Sequence, residues 1–106
     1  MYSLIDQIAD AAEEFDLHDA PFEVLAASGD AGQYEVIRRY RPQIKALVSR
    51  HRVGDAELED LEQAALLGVV AAFREYAENS VTEDLYTYAH VFIVRELRET
   101  NRSASP

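Results

Sequence analysis

Hydrophobic residues in this chain recur at steps of three and four, and this spacing restricts the possible fold more than any other feature. Such steps place side chains on one face of an α-helix, because a helix has about 3.6 residues per turn. No alternation of period two is long enough to indicate a strand, and no Asn-Gly or Asp-Gly pair marks a hairpin. The pattern predicts an all-α fold, a compact bundle of about five helices.

Length and composition indicate a single domain in the cytoplasm. The 106 residues suffice for one hydrophobic core, and 48% hydrophobic with 28% charged residues is typical of a folded globular protein. There is no cysteine, the N-terminus lacks the basic start of a secretion signal, and the longest apolar run, residues 64–73, is about half a membrane span. We therefore predict a cytoplasmic protein with no membrane partner.

Charge is unevenly distributed along the chain. The net charge is −10, from 20 acidic and 10 basic residues. Residues 1–33 hold eight acidic side chains and no basic one, whereas residues 34–53 hold six basic side chains against Glu35. The overall sign repels nucleic acid, so any nucleic-acid contact must be local.

Capping residues predict where the first two helices lie. Ser3, with Asp6 three residues later, resembles the start of a helix, which we expect to end near Leu17. Pro21 suits the first position of a short second helix, residues 21–28, because the missing N–H of proline costs nothing there.

A proline interrupts the third helix, which is predicted at residues 31–51. Pro42 lacks a backbone donor and clashes with the preceding turn, so we expect either a kink near Tyr40 or two abutting helices. Asp55 is predicted to cap a fourth helix that reaches about Tyr76.

The fifth helix is predicted to start at Ser80 or Thr82 and to persist to about Asn101. The predicted organisation is an acidic N-terminal helix at residues 1–20, a helical domain at residues 21–102, and a frayed tail or truncated linker at residues 103–106.

The fourth helix is apolar on nearly all sides. Such a helix is either a central core helix or the carrier of a partner surface, and both interpretations stay open. The side opposite its core stripe carries Asp60, Gln63, Ala64, Leu67, Ala71 and Arg74.

The fifth helix has a second face besides its core stripe. Arginine can hold a phosphate and tyrosine offers a flat surface for a base, so this face suits nucleic acid. The alternative is a solvated stripe whose arginines pair with acidic neighbours such as Glu99. The face consists of Thr87, Tyr88, Val91, Arg95, Arg98 and Arg102.

Several motifs on these helices occur in one known family. The stretches 60–63 (DLEQ), 68–73 (GVVAAF), 85–89 (LYTYA) and Ile93, preceded by Gly29-Asp30 and Tyr40-Arg41-Pro42, resemble region 2 of sigma-70 factors of the compact, extracytoplasmic-function type. The family patterns are approximately DLxQE, GLxxA, FSTYA and WWIR. The resemblance covers roughly residues 24–102 in collinear order.

The resemblance implies two binding partners. In that family the domain docks on the clamp helices of the RNA polymerase large subunit and captures the non-template strand of the promoter −10 element, where a flipped base stacks on an aromatic ring. With the helical faces above, we predict polymerase or protein partner binding by Asp60, Gln63, Ala64, Leu67, Ala71 and Arg74, and DNA binding by Thr87, Tyr88, Val91, Phe92, Arg95, Arg98 and Arg102.

The sequence also departs from the family pattern. Ala64 replaces a glutamate, Val91 and Phe92 replace a tryptophan pair, and Val94 replaces an arginine. Compact alternative sigma factors also lack the tryptophan pair. No helix-turn-helix of the kind that reads a −35 element is present, so the chain is either a fragment or a free-standing sigma-like domain.

A second function remains open beside that of a sigma domain. The acidic balance favours a decoy or adaptor that binds an anti-sigma protein or polymerase without useful DNA affinity. An acidic first helix folded over the basic face would reconcile the charge with DNA binding, although an ordinary solvated amphipathic helix is the preferred interpretation.

Little in the sequence indicates an enzyme. There is no glycine-rich phosphate loop, no HExxH motif and no cysteine. His18 lies beside Asp16 and Asp19, a weak candidate metal cluster for which a surface turn is the better interpretation. We predict no catalytic residue, no metal site and no cofactor.

Overall fold

The computed structural model describes residues 3–79 and 84–104. These residues form helices and no strands, which confirms the all-α fold. The helices are α1 (Leu4–Ala11), followed by a 3₁₀ helix (Ala12–Phe15), then α2 (Phe22–Ala26), α3 (Asp30–Arg39), α4 (Arg41–Arg50), α5 (Leu58–Glu78) and α6 (Leu85–Ala104). None of the described helices is long and apolar enough to cross a membrane.

The start of α1 is capped as expected, but the helix is short. The Ser3 hydroxyl accepts a hydrogen bond from the backbone N–H of Asp6 at 3.1 Å, which confirms the cap. After Ala11 the helix tightens into the 3₁₀ helix. This helix ends at Asp16, which has a left-handed conformation with φ 50°. The apolar spacing from Leu4 onward predicts Phe15 on the buried side of the helix, but Phe15 is exposed, because the tighter 3₁₀ turn changes the direction of its side chain.

Pro42 separates α3 from α4, which confirms two abutting helices. They meet at Tyr40, whose φ of −105° and ψ of 14° end α3. Pro42 lies in the first turn of α4, where a backbone N–H has no intrahelical acceptor.

Three other predicted helix ends shift. Pro21 is the residue before α2 and not its first residue. Asp55 does not cap α5: that position is Glu57, because the chain stays extended while Ala56 packs on the core. The predicted starts of the last helix, Ser80 and Thr82, lie outside the described residues, and α6 continues past Asn101 to Ala104.

α5 is the central helix of the bundle. It contacts each of the other five α-helices and buries residues along most of its length. Its apolar spacing predicts a core stripe of which Leu61, Ala65, Val69, Ala72 and Phe73 are buried, while Leu58 and Tyr76 at its two ends are half-buried. α5 is therefore a central core helix, one of the two roles predicted for the fourth helix. It also keeps one exposed side, which includes Leu67.

α5 and α6 form an antiparallel pair that packs closely at Gly68. A Cβ built on Gly68 would lie 2.7 Å from the Cα of Ile93 and 2.9 Å from the carbonyl oxygen of Phe92. No real side chain tolerates such distances, so only glycine allows the two backbones to approach this far. This contact brings the first turns of α5 alongside the last turns of α6.

The acidic N-terminal segment lies against the basic α4. Asp6 accepts a hydrogen bond from the Lys45 ammonium at 2.8 Å, and Arg41 lies 3.4 Å from Asp6 and 3.3 Å from Asp10. The Lys45 hydrogen bond lowers the pKa of Asp6. α1 packs on α3, α4 and α5 and does not contact α6, so these carboxylates neutralise α4 and leave the arginines of α6 uncovered.

The buried carboxylate of Glu35 positions two arginines, one of which binds the loop before α2. Glu35 is 1% exposed and accepts hydrogen bonds from Arg38 at 2.7 and 2.9 Å and from Arg39 at 2.8 Å. Burial disfavours the charged form of Glu35, but the two guanidinium groups outweigh it and lower the pKa of the carboxyl. Arg39 also donates to the carbonyl oxygens of residues 17, 18 and 20, which fixes the loop before α2.

Candidate partner and nucleic-acid surfaces

Leu67 is the most exposed large apolar side chain of α5. Its side chain is 63% exposed in the middle of a helix whose other sides are packed. Asp60, Gln63 and Arg74 on the same side are exposed, and Ala71 is half-buried. These five residues form what we call the α5 stripe.

Ala64 was expected on this stripe and is buried, with 4% exposure. The reason is the close approach at Gly68, one turn further along, which lets α6 cover Ala64. Ala64 therefore contributes to the floor of a depression and not to the exposed rim.

That depression is a groove of about 410 Å³ between the first turns of α5 and the last turns of α6. It brings together four of the six predicted partner-binding residues, while Ala71 and Arg74 lie further along α5. Glu96 and Glu99, two carboxylates that were not among the predicted partner-binding residues, line its α6 side. The lining of the groove includes Asp60, Gln63, Ala64 and Leu67 from α5 and Glu96 and Glu99 from α6.

The predicted DNA-binding residues share the outer side of α6. Thr87, Val91 and the three arginines are exposed, and Tyr88 and Phe92 are half-buried beside α5. Thr87 is occupied in part, because its hydroxyl donates to Asp84, whose carboxylate also accepts from the Thr87 backbone N–H at 3.2 Å. Asp84 thereby caps the first turn of α6.

A row of rings ends in an arginine on this face. The Tyr76 and Tyr88 rings lie 5.8 Å apart, Tyr88 and Phe92 lie 5.1 Å apart, and the guanidinium carbon of Arg95 lies 5.0 Å from the centre of the Phe92 ring. The Tyr88 hydroxyl donates to Glu75 at 3.2 Å. Rings beside a cation are the groups that hold a base and its phosphate.

Tyr76 and Glu75 were not recognised as members of this site. The apolar spacing of the fourth helix predicts Tyr76 on its core side, and Tyr76 does pack partly on the core. Its edge still reaches Tyr88, since the antiparallel pairing of α5 and α6 brings the two tyrosines together. Locating Tyr76 and Glu75 beside Tyr88 requires the register in which α5 pairs with α6, which the periodicity of either helix alone does not give.

The three arginines of α6 differ in their ion pairing. Arg102 forms an ion pair with Glu99 at 2.6 Å. Arg95 and Arg98 form none with any residue in the described parts of the chain. The solvated-stripe interpretation therefore describes Arg102, and two guanidinium groups remain available to an anion.

The residues around His18 do not converge. Within residues 3–79 and 84–104, no group of three histidine or acidic side chains could hold a metal ion. The backbone carbonyl of His18 instead accepts a hydrogen bond from Arg39 at 3.2 Å, which is a structural role in the loop.

A family model for sigma-70 region 2 matches residues 36–105, about two thirds of the chain. The chain belongs to the sigma-70 region 2 family. Comparisons with curated proteins and with solved structures found no match. The sigma-70 region 2 family is a family of transcription-initiation domains and not of enzymes, and its members act in general with RNA polymerase and promoter DNA.

The matched segment contains both surfaces described above. It begins inside α3 and includes α4, α5 and the described part of α6, so the α5 stripe, the groove and the aromatic row all lie within the sigma-70 region 2 match. α1 and α2 lie outside it, although Ile5 and Leu25 from these helices are buried in the same core.

Proposed function

We propose that this sigma-70 region 2 domain binds core RNA polymerase through the α5 stripe and the non-template strand of a promoter −10 element through α6. The observation that carries the proposal is the exposure of Leu67. A central helix has no structural need for a solvated leucine, and an apolar side chain between Asp60, Gln63 and Arg74 suits a protein partner.

The clamp helices of the polymerase large subunit are the partner we propose for this stripe. Leu67 would supply the apolar contact at the centre, where interfaces concentrate their binding energy. Asp60 and Gln63 would supply polar contacts at its edge, at positions where the family motif has an aspartate and a glutamine.

For the DNA strand, the aromatic row and the unpaired arginines support the proposal. A base could stack on Tyr88 or Phe92, and Arg95 and Arg98 would contact the phosphates. The acidic α1 does not cover this face, because Asp6 and Asp10 face α4 and α1 does not contact α6. We also propose that the domain acts in the cytoplasm, where polymerase and promoters are found.

Two matched substitutions test both halves of the proposal. Leu67 and Val91 are apolar side chains of similar exposure, 63% and 65%, on different helices. Leu67→Glu should weaken binding to core RNA polymerase about thirtyfold or more and leave binding to single-stranded −10 DNA intact. Val91→Glu should weaken DNA binding and leave polymerase binding intact.

Fluorescence titrations at several salt concentrations would measure both affinities. Arg95→Glu with Arg98→Glu should lower DNA affinity and flatten the dependence of log affinity on log salt, because fewer counterions are released. Unchanged DNA affinity in that double variant would exclude the assigned face. Loss of helicity in Leu67→Glu would mean that Leu67 is a core residue, and polymerase binding without any DNA binding would indicate an adaptor.

A further inference from the structure

The groove between α5 and α6 is acidic, and its carboxylates are not among the residues proposed to bind DNA. Asp60, Glu96 and Glu99 contribute three carboxylates to the groove, and none of the described residues that line it is basic. The groove also has apolar lining residues, the buried Ala64 in its floor and the exposed Leu67 beside it. Such a lining repels a phosphate backbone and attracts a cationic group attached to an apolar one.

Neighbouring residues on α6 separate the two kinds of partner. Arg95 precedes Glu96, and Arg98 precedes Glu99. Consecutive residues point about 100° apart on a helix, so the arginines face outward while the glutamates face the groove beside α5. Arg102, one turn after Glu99, is already paired with it.

We infer that the last turns of α6 belong to the protein-docking surface, where Glu96 and Glu99 bind lysine or arginine side chains of an amphipathic helix of RNA polymerase whose apolar side covers Leu67. This inference rests on the proposed function and extends it from α5 to α6. It assigns Arg102 to the ion pair with Glu99 and not to DNA binding. Arg98 is then the last residue of α6 that contacts DNA. The charges of the two surfaces are complementary, because an acidic groove with apolar lining residues matches a basic amphipathic helix.

Charge reversal in the groove provides the test. Glu96→Lys with Glu99→Lys should lower affinity for core RNA polymerase at least tenfold, because like charges would then face each other across the interface. Lysine is well placed near a helix C-terminus, so the variant should fold. Single-stranded −10 DNA should bind at least as tightly as to the unaltered domain, because the added positive charge attracts phosphate.

A control with the same change in net charge separates a local effect from a global one. Glu14→Lys with Glu23→Lys alters two exposed carboxylates, on the 3₁₀ helix and on α2, away from the groove. It should bind polymerase as the unaltered domain does. Equal losses in both double variants, or no loss in the groove variant, would overturn the inference.

The outcomes also separate this inference from the proposed function. If Leu67→Glu abolishes polymerase binding while Glu96→Lys with Glu99→Lys does not, only the extension to α6 fails. If the unaltered domain does not bind polymerase, both fail. Sedimentation that shows a dimer dissociated by the groove substitutions would assign the groove to a second copy of the chain and would likewise overturn the inference.

Discussion

Gly68 of α5 lies against Ile93 of α6 so closely that a methyl group on Gly68 would come within 2.7 Å of the Ile93 Cα. The two helices that carry the proposed surfaces are therefore held together by a contact that no other residue type permits. Their spacing determines the width of the groove and brings Tyr88 beside Tyr76.

Gly68→Ala should destabilise the domain by about 1–3 kcal/mol, the usual cost of overpacking a tight contact. Alanine favours a helix over glycine by about 1 kcal/mol, so the sign of the change is informative. Urea denaturation followed by circular dichroism would measure it. Gly54→Ala is the control, because a Cβ there would lie 3.8 Å from its nearest neighbour and should change stability little. A Gly68→Ala variant as stable as the unaltered domain would contradict the close contact.

Glu35→Gln should cost roughly 2–3 kcal/mol at neutral pH. Removing one partner of a fully buried ion pair costs about 3–5 kcal/mol, and the loss is smaller here because Arg38 and Arg39 keep contact with water. The pKa of Glu35 is lowered from its ordinary 4.5, so its contribution is present above pH 4.5 and is lost as the pH falls below that value. The free energy of unfolding of the two proteins should therefore converge in acid. A constant difference down to pH 3 would argue against a charged Glu35.

Asp6→Asn should weaken the attachment of α1 by about 0.5–1 kcal/mol, because it removes the charge that faces Lys45 and Arg41. The effect should shrink in high salt, since these pairs lie near the surface. Asp10→Asn should cost less, because Asp10 is more exposed and pairs with Arg41 at 3.3 Å, whereas Asp6 also pairs with Lys45 at 2.8 Å. Denaturation at low and high salt would measure both, and an equal effect of the two substitutions would exclude a special role for Asp6.

Tyr88 should matter to DNA through its ring and not through its hydroxyl. Tyr88→Phe removes the hydrogen bond to Glu75 and keeps the ring between Tyr76 and Phe92. It should bind single-stranded −10 DNA nearly as well as the unaltered domain. Tyr88→Leu should lose about 1–3 kcal/mol of DNA binding, the usual worth of one stacked base. If both variants bound DNA alike, base stacking on this ring would be excluded.

The periodicity of hydrophobic residues predicted the long helices well. α5 and α6 each bury a continuous stripe, so the spacing of Leu61, Val69, Ile93 and Leu97 was enough to orient them. Helix ends were less predictable, because Glu57 caps α5 without any side-chain hydrogen bond and so leaves no signal in the sequence.

Features that depend on pairing between helices could not be read from the sequence. Glu35 has the same spacing to Arg38 and Arg39 as any exposed helical ion pair, and its burial depends on the elements that pack on α3. The acidic groove likewise arises because α6 returns antiparallel to α5 and brings Glu99 to the side of Asp60. Each helix considered alone shows an ordinary charged surface.

The guanidinium of Arg39, bound to three main-chain oxygens of the loop before α2, sets a practical limit on how the protein can be shortened. Trimming the gene to the stretch that matches the family model, residues 36–105, would delete Glu35 and that loop and remove Ile5 and Leu25 from the interior. The remaining helices would expose apolar core residues to water, and the truncated protein should aggregate. Binding measurements on sigma-like pieces of this kind therefore need the thirty-five residues that precede the family-model match.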